Sequence, residues 1–433
     1  MTAHRPPHIN GLLALSPAFV FLILYLGASL ITGDFYSVPV SVALVAASVW
    51  SVIIFRGRSL QHRITVFSRA AGRENILYMV WVFVLAGAFA ALAKGIGAID
   101  ATVRLTMMCC PAGFVLPAIF IAACIISMSV GTSVGTVVAL TPLVVEFAEA
   151  TDVAVPLYVA AVLGGAFFGD NLSFISDTTI AATRSQGCKM SDKFKANFRI
   201  ALPAAIIVLE IYTYLGLDGG TAPAIVSSFT WSDVWLVLPY LLVIILALIG
   251  INVTVVLLSG IFAALACAIP QGLQWLEAAR LIGDGIGSMS ELIVITMLAA
   301  GMLGIITAAG GIDALLRSIA RLKPGFRGAQ GAICLITGAV NLCTANNTVA
   351  IITAGPLCRS IASKYDIAPR RSASLMDTSS CIMQCLIPYG AQTLLATGLA
   401  GISPAAPWQY LYYPWALLIC LAIGVVISKK SRQ

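Results

Sequence analysis

GGAFFGDNLSFISDTTIAAT, residues Gly164 to Thr183, sets two aspartates, Asp170 and Asp177, inside an apolar run of membrane-spanning length. An ionisable group at bilayer depth costs roughly 2.5–3.5 kcal/mol on insertion scales, and such groups face a cavity, a partner or an ion path. Read as one continuous helix, the segment places Asp170, Ser173 and Asp177 at i, i+3 and i+7 on a single face, flanked by Asn171 and Thr178. That face is a strip of hard oxygen ligands, suited to Na⁺ or H⁺ and poor for soft metals.

Outward from this segment the chain stays apolar. Sixty per cent of its 433 residues are hydrophobic and 10% are charged, outside the range of a soluble domain and typical of an all-α polytopic membrane protein. Fourteen apolar runs between residues 12 and 427 predict about 12–14 transmembrane segments. Several runs are short or interrupted by Gly and Pro, which predicts broken or re-entrant helices around a cavity. The stretch 113–149 reads equally as a re-entrant hairpin or as two spans.

The net charge of +7 is gathered in a few loops. Arg184, Lys189, Lys193, Lys195 and Arg199 fill one, and Arg359, Lys364, Arg370 and Arg371 another. By the positive-inside rule these loops are cytoplasmic. Loops 149–156, 217–233 and 401–408, expected outside, contain no Lys or Arg, which puts both termini in the cytoplasm of a protein embedded in the cell membrane. Loop 94–112 disagrees, carrying Lys94 and Arg104 against Asp100. The charge therefore sets orientation and does not indicate nucleic acid. Expected partners are the lipid bilayer, small ions, a small organic substrate and a second copy in a homodimer; no cofactor is expected.

Cys381 and Cys385 lie one helical turn apart, but no His or Cys set completes a metal site, so they read as small buried hydrophobes. His4, His8 and His62 fall in predicted cytoplasmic regions and supply no intramembrane proton relay.

Shifting the chain by 213–214 positions brings its halves, 1–216 and 217–433, into register. GIGAIDATVR (95–104) meets AAGGIDALLR (308–317), Pro142-Leu143 meets Pro356-Leu357, and Asp152 meets Asp366. Each half holds seven apolar runs, and an odd number of crossings turns the second copy upside down. Two inverted repeats whose broken helices meet near the midplane are a recurrent architecture of secondary transporters.

Two polar interruptions match under this shift. SMSVGTSVGT (127–136) and NLCTANNTVA (341–350) align Thr132 and Ser133 with Asn346 and Asn347. Helix N-termini after such breaks favour an anion, and freed carbonyls ligate a cation; the plainer reading is close packing of small residues. In the second half SLMDTSSCIMQCLIPYGAQT (374–393) spaces Asp377, Ser380 and Gln384 at i, i+3 and i+7, then breaks at Pro388-Tyr389-Gly390. Asp170 aligns with Gln384, so the two polar triads are staggered. Asp377, six residues past Arg371, is expected near the cytoplasmic edge.

With these residues in view, the chain resembles the NhaC family of sodium/proton antiporters. The family's G-D-x-x-S-x-x-S-D-T-T pattern stands here as Gly169, Asp170, Ser173, Ser176, Asp177, Thr178 and Thr179. Asp377, Thr378, Ser379 and Ile387-Pro388-Tyr389-Gly390 look like its second acidic-hydroxyl stretch and Pro-aromatic break. Phe174 stands where the family often has Pro, and Tyr389 where it often has Trp. The resemblance implies a secondary transporter; relatives carry Na⁺ and H⁺, organic acids of the malate/lactate type, or amino acids.

The resulting expectation is exchange of Na⁺ for H⁺ at Asp170 and Asp177, with Asn171, Ser173, Ser176 and Thr178 as neutral ligands. Burial favours the neutral form of a carboxylic acid, so a proton and Na⁺ compete for the same oxygens. Thr132, Ser133, Thr136, Asn346, Asn347, Thr348, Asp377, Ser380 and Gln384 are expected to line the same site or an adjoining substrate site. The alternative is a Na⁺- or H⁺-coupled carrier of a small organic acid or amino acid. An intramembrane aspartyl protease needs Gly where Phe167 stands, and no nucleotide-binding G-x-x-x-x-G-K-[ST] sequence occurs.

Overall fold

A computed structural model describes residues 11–32, 39–56, 59–173, 176–219, 231–249, 251–320 and 325–428. His4, His8, Phe174 and the two chain ends lie outside them. The first half forms helices α1 (Gly11–Thr32), α2 (Val40–Ile54), α3 (Leu60–Ala71), α4 (Glu74–Gly95), α5 (Ala98–Cys109), α6 (Ala112–Val130), α7 (Ser133–Thr151), α8 (Val155–Leu172), α9 (Asp177–Gln186) and α10 (Met190–Gly219). The second forms α11 (Trp231–Leu248), α12 (Val253–Ala268), α13 (Trp275–Ser288), α14 (Ser290–Ala308), α15 (Gly311–Ala320), α16 (Phe326–Thr344), α17 (Asn347–Lys364), α18 (Pro369–Leu386), α19 (Ala391–Leu399) and α20 (Tyr412–Val426). No strand occurs among the described residues. Among the described residues, seven helical stretches are long and apolar enough to cross a membrane, two of them running over α8–α9 and α13–α14, and four apolar ones are shorter.

Both boundaries of α6 and of α8, moved on by 214 positions, are those of α16 and α18. Left-handed backbone recurs at the same offset, at Gly131 (φ 72°) and Ala345 (φ 48°) and at Asp152 (φ 54°) and Asp366 (φ 56°). In each half the sixth and eighth helices of the pattern pack closely, α6 on α8 and α16 on α18. One hydrogen bond is repeated with them: Ser127 Oγ donates to Ala166 O at 2.5 Å, and Asn341 Nδ2 donates to Ser380 O at 2.8 Å. Contacts between the halves are reciprocal, since α9 packs on α17 while α19 packs on α7.

Small residues allow the closest approach. A side chain at Gly165 would run into Ala123 and Phe120 O, and one at Gly169 into Ser127 and the Met128 amide. This is the small-xxx-small packing that lets helix backbones meet where apolar burial drives little. The Gly of the G-D motif therefore has a packing role on α6.

One sequence expectation is corrected, and two further features come from the structure. The aspartate segment is not one helix: α8 ends at Leu172 and α9 starts at Asp177, so Asp170 and Asp177 stand on opposite sides of a break. The two cations of loop 94–112 are paired, Lys94 Nζ with Glu146 Oε1 at 2.8 Å and Arg104 with Asp233. The interval 275–288, between apolar runs, is the amphipathic helix α13, seated on α4 through Gly285 and Gly87. Its Glu277, Arg280 and Asp284 keep it from reading as apolar.

Candidate functional site

Four interruptions of the helices converge on one cavity of about 390 Å³. Gly131, Thr132 and Ser133 come from the α6–α7 break; Asp170, Asp177 and Thr178 flank the α8–α9 break. Ala345, Asn346, Asn347 and Thr348 come from the α16–α17 break, and Gln384, Ala391 and Gln392 flank the α18–α19 break. Helix N-termini and C-termini thus both open on this space, so it presents amide donors and carbonyl acceptors together. Asn346 caps α17, its side chain accepting from the Val349 amide at 2.9 Å. Among the described residues, no Lys, Arg or His lines it.

Asp170 is the buried acid of the cavity, 4% exposed in the last turn of α8. Its Oδ2 accepts from Ser133 Oγ at 3.2 Å and from Asn347 Nδ2 at 3.2 Å. One donor comes from each half of the chain. Ser133 in turn accepts from Gln392 Nε2 at 3.0 Å, and Gln384 Nε2 reaches both Gln392 Oε1 at 3.0 Å and the Ala345 carbonyl at 3.0 Å. Gln384 Oε1 has no hydrogen-bond partner among the described residues. Asp177 lines the same cavity but is exposed at the first position of α9. The two acids therefore differ in setting.

The other expected ligands fall into two groups. Thr132, Ser133, Thr178, Asn346, Asn347, Thr348 and Gln384 line the cavity, as Asp170 and Asp177 do. Asn171, Ser173, Ser176, Thr136, Ser380 and Asp377 are buried and do not line it. Ser176 caps α9, accepting from the Thr179 amide at 3.4 Å, while its hydroxyl meets Thr178 Oγ1 at 2.6 Å. Thr136 bonds the Thr132 carbonyl at 3.3 Å, and Ser380 the Asp377 carbonyl at 2.9 Å. Tyr78, Asn252 and Gln392, which the sequence reading did not single out, complete the wall.

Asp377 stands mid-way along α18. It is wholly buried and ion-paired with Lys193, Nζ to Oδ2 at 2.6 Å, and Lys193 is itself only 1% exposed. The same ammonium donates to Asn171 O at 2.7 Å and to Thr179 Oγ1 at 2.6 Å. Its three donors thus meet three oxygens, one on each side of the α8–α9 break and one on α18. Asn197 adds bonds to Asn171 Oδ1 at 2.7 Å and Asp377 Oδ2 at 2.9 Å. Counting Lys193 among loop charges missed this. The signal was present: Lys193 and Asn197 extend, at i and i+4, the buried stripe of Ala201, Ala204 and Val208 on α10.

A family model described as the Na⁺/H⁺ antiporter family matches the chain twice, over residues 9–217 and 221–429. The chain belongs to the Na⁺/H⁺ antiporter family. As a member it is a multi-pass membrane protein and a secondary transporter, in a family of ion antiporters and not of enzymes. It is 21% identical to the malate-2H⁺/Na⁺-lactate antiporter of Bacillus subtilis, covering 95% of this chain and 93% of that protein. It is 26% identical to the Na⁺/H⁺ antiporter NhaC of the same organism, over 73% of this chain and 76% of the other. Identity to the arginine/ornithine antiporter ArcD of Halobacterium salinarum is 24%, over 67% of each.

Proposed function

We propose that this protein exchanges Na⁺ for H⁺ across the cell membrane, with Asp170 as the carboxylate for which the two cations compete. The observation that carries the reading is a buried acid opening on a polar cavity and hydrogen-bonded by the neutral side chains of Ser133 and Asn347. A buried carboxylate is tolerated when its charge is compensated, and here the compensation is left to a mobile ion. A bound proton neutralises Asp170; Na⁺ brings the same charge and finds further oxygens on Thr178 and at the carbonyl ends of α6 and α16. Since one ion excludes the other, uptake of Na⁺ on one side releases a proton there. Asp177, at the rim, draws cations toward the cavity. The halves are taken as inverted repeats, both termini cytoplasmic, with the two broken-helix sets exposing the site to alternate sides.

A second reading rests on the size and chemistry of the cavity. At about 390 Å³ it falls within the roughly 300–1,000 Å³ of small-molecule pockets, far more than a bare cation fills. Asn252, Asn346, Asn347, Gln384 and Gln392 offer amides that suit a small organic acid or amino acid moving with Na⁺ or H⁺.

Purified protein in liposomes, given Na⁺, Li⁺ or K⁺ outside while internal pH is followed, tests both readings. Asp170→Asn abolishes Na⁺-dependent proton movement in correctly inserted protein, whereas Asp177→Asn raises the Na⁺ concentration needed for half-maximal exchange. Lower pH raises that concentration in the unaltered protein, because protons compete. Full exchange by Asp170→Asn sinks the assignment. A requirement for a carboxylate or amino acid, added from a panel, selects the second reading.

A further inference from the structure

A groove of about 740 Å³ lies at the end of the molecule where α10 and α18 begin and α20 finishes. Its wall carries Lys195, Arg199, Arg370 and Arg371 against Asp192 and Asp366, and beside them the apolar Ile200, Pro203, Ile207, Cys420, Ile423 and Ile427. Ile207, Ile423 and Ile427 are exposed on the outer surface of α10 and α20, as side chains facing acyl chains are in a membrane protein.

The basic cluster is built, not merely crowded. Arg371 Nε donates to Gln330 Oε1 at 2.9 Å, and Gln330 Nε2 donates to Ser428 Oγ at 2.7 Å. This chain fixes the guanidinium plane, and Arg371 Nη2 is buried and without a partner among the described residues. A Cβ at Gly424 would lie 3.5 Å from Arg371 Nη2, so a larger side chain on α20 there would crowd the guanidinium. The positive end of α18, an 18-residue helix, opens on the groove through Ala368 and Arg370.

We propose that this groove binds an anionic phospholipid, with its phosphate on Arg199 and Arg371 and its acyl chains along Ile207, Ile423 and Ile427. Guanidinium groups hold phosphate oxygens through paired, charge-assisted hydrogen bonds. Four cations against two carboxylates leave an excess that an anion neutralises, while a zwitterionic headgroup adds an ammonium beside the arginines. The apolar wall gives a soluble phosphate nothing to bury. Basic pockets between helices next to a cytoplasmic surface take anionic headgroups in this way. The groove shares no lining residue with the cation cavity, so the inference stands apart from the exchange reading. A bound lipid bridges α10, from the first half, to α16, α18 and α20 of the second.

Native mass spectrometry of the full chain, extracted in detergent with phosphatidylglycerol or phosphatidylcholine, tests it. The unaltered protein retains phosphatidylglycerol in preference, and Arg199→Gln/Arg371→Gln weakens that retention about tenfold or more. Lys195→Gln/Arg370→Gln alters exposed side chains only, keeps the fold, and weakens retention in the same direction. Arg56→Gln/Arg69→Gln, an equal charge change at exposed sites elsewhere, leaves it unchanged. Equal retention of the two lipids, equal loss in the Arg56/Arg69 control, or displacement of phosphatidylglycerol by inorganic phosphate overturns the proposal.

Discussion

Asp170 and Asp377 are both buried acids, and their partners give them different chemistry. Asp377 faces Lys193 at 2.6 Å, whereas Asp170 meets Ser133 and Asn347, each at 3.2 Å. A fixed ammonium pairs with one carboxylate; neutral donors leave the other without a paired cation among the described residues, as the proposed exchange requires. Removing one member of a buried pair strands a charge at a cost of about 3–5 kcal/mol, while replacing both members by apolar groups is often close to neutral. Lys193→Met is therefore expected to lower thermal stability in detergent severely, and Lys193→Met/Asp377→Leu to regain most of the loss. Equal stability of the two variants rules out the ion pair as the source. Asp170 could be found from sequence because an isolated acid in an apolar run stands out. The Lys193 partnership could not be found by counting charges, because a lysine next to Lys189 and Lys195 reads as solvated until its helix face is considered.

At the scale of the elements, the breaks do the positioning, and they differ in how they are written in the sequence. Gly131 and Asn346 announce theirs. The α8–α9 break lies in a stretch without Gly or Pro, Asn171 to Thr178, and its cue is the Ser176 side chain capping the Thr179 amide. The duplication carried a second cue, since Pro388-Tyr389-Gly390 falls on residues 174–176 under the 214 shift. Within the matching breaks one residue is under strain: Ala345 holds φ 48° where its counterpart Gly131 holds φ 72°. A Cβ in left-handed backbone costs roughly 1–2 kcal/mol, and Gly avoids that cost. Ala345→Gly is expected to stabilise the protein by about 1 kcal/mol and Gly131→Ala to destabilise it by about 1–2 kcal/mol. Unfolding midpoints of the two variants that move in the same direction would mean that backbone strain does not set these breaks.

At the scale of the whole molecule, a repeated scaffold carries chemistry that is not repeated. Under the 214 shift Lys193, Asn197 and Asp377 correspond to Pro407, Leu411 and Leu163, so the buried ionic network, with Lys193 and Asn197 from the first copy and Asp377 from the second, has no symmetric counterpart. Asp170 corresponds to Gln384, and both line the one cavity. Repeated helix boundaries say that the halves fold alike; they do not say which way each faces. The proposed orientation rests on parity and charge. Seven apolar runs per half would return the second copy to the bilayer from the opposite side, and the charges at the ends of α7 and α17 differ in the sense this proposal requires. No Lys or Arg occurs in 149–156, whereas Arg359, Lys364, Arg370 and Arg371 surround the end of α17. Glu149 and Ser363 occupy equivalent, exposed positions in these two helix ends. In a cysteine-depleted background, Glu149→Cys is expected to react with a membrane-impermeant maleimide from outside intact cells. Ser363→Cys is expected to react only after the membrane is opened. Labelling of both positions from the same side would place the copies parallel, and with parallel copies the four breaks could not enter the cavity from opposite faces of the bilayer as alternating access requires.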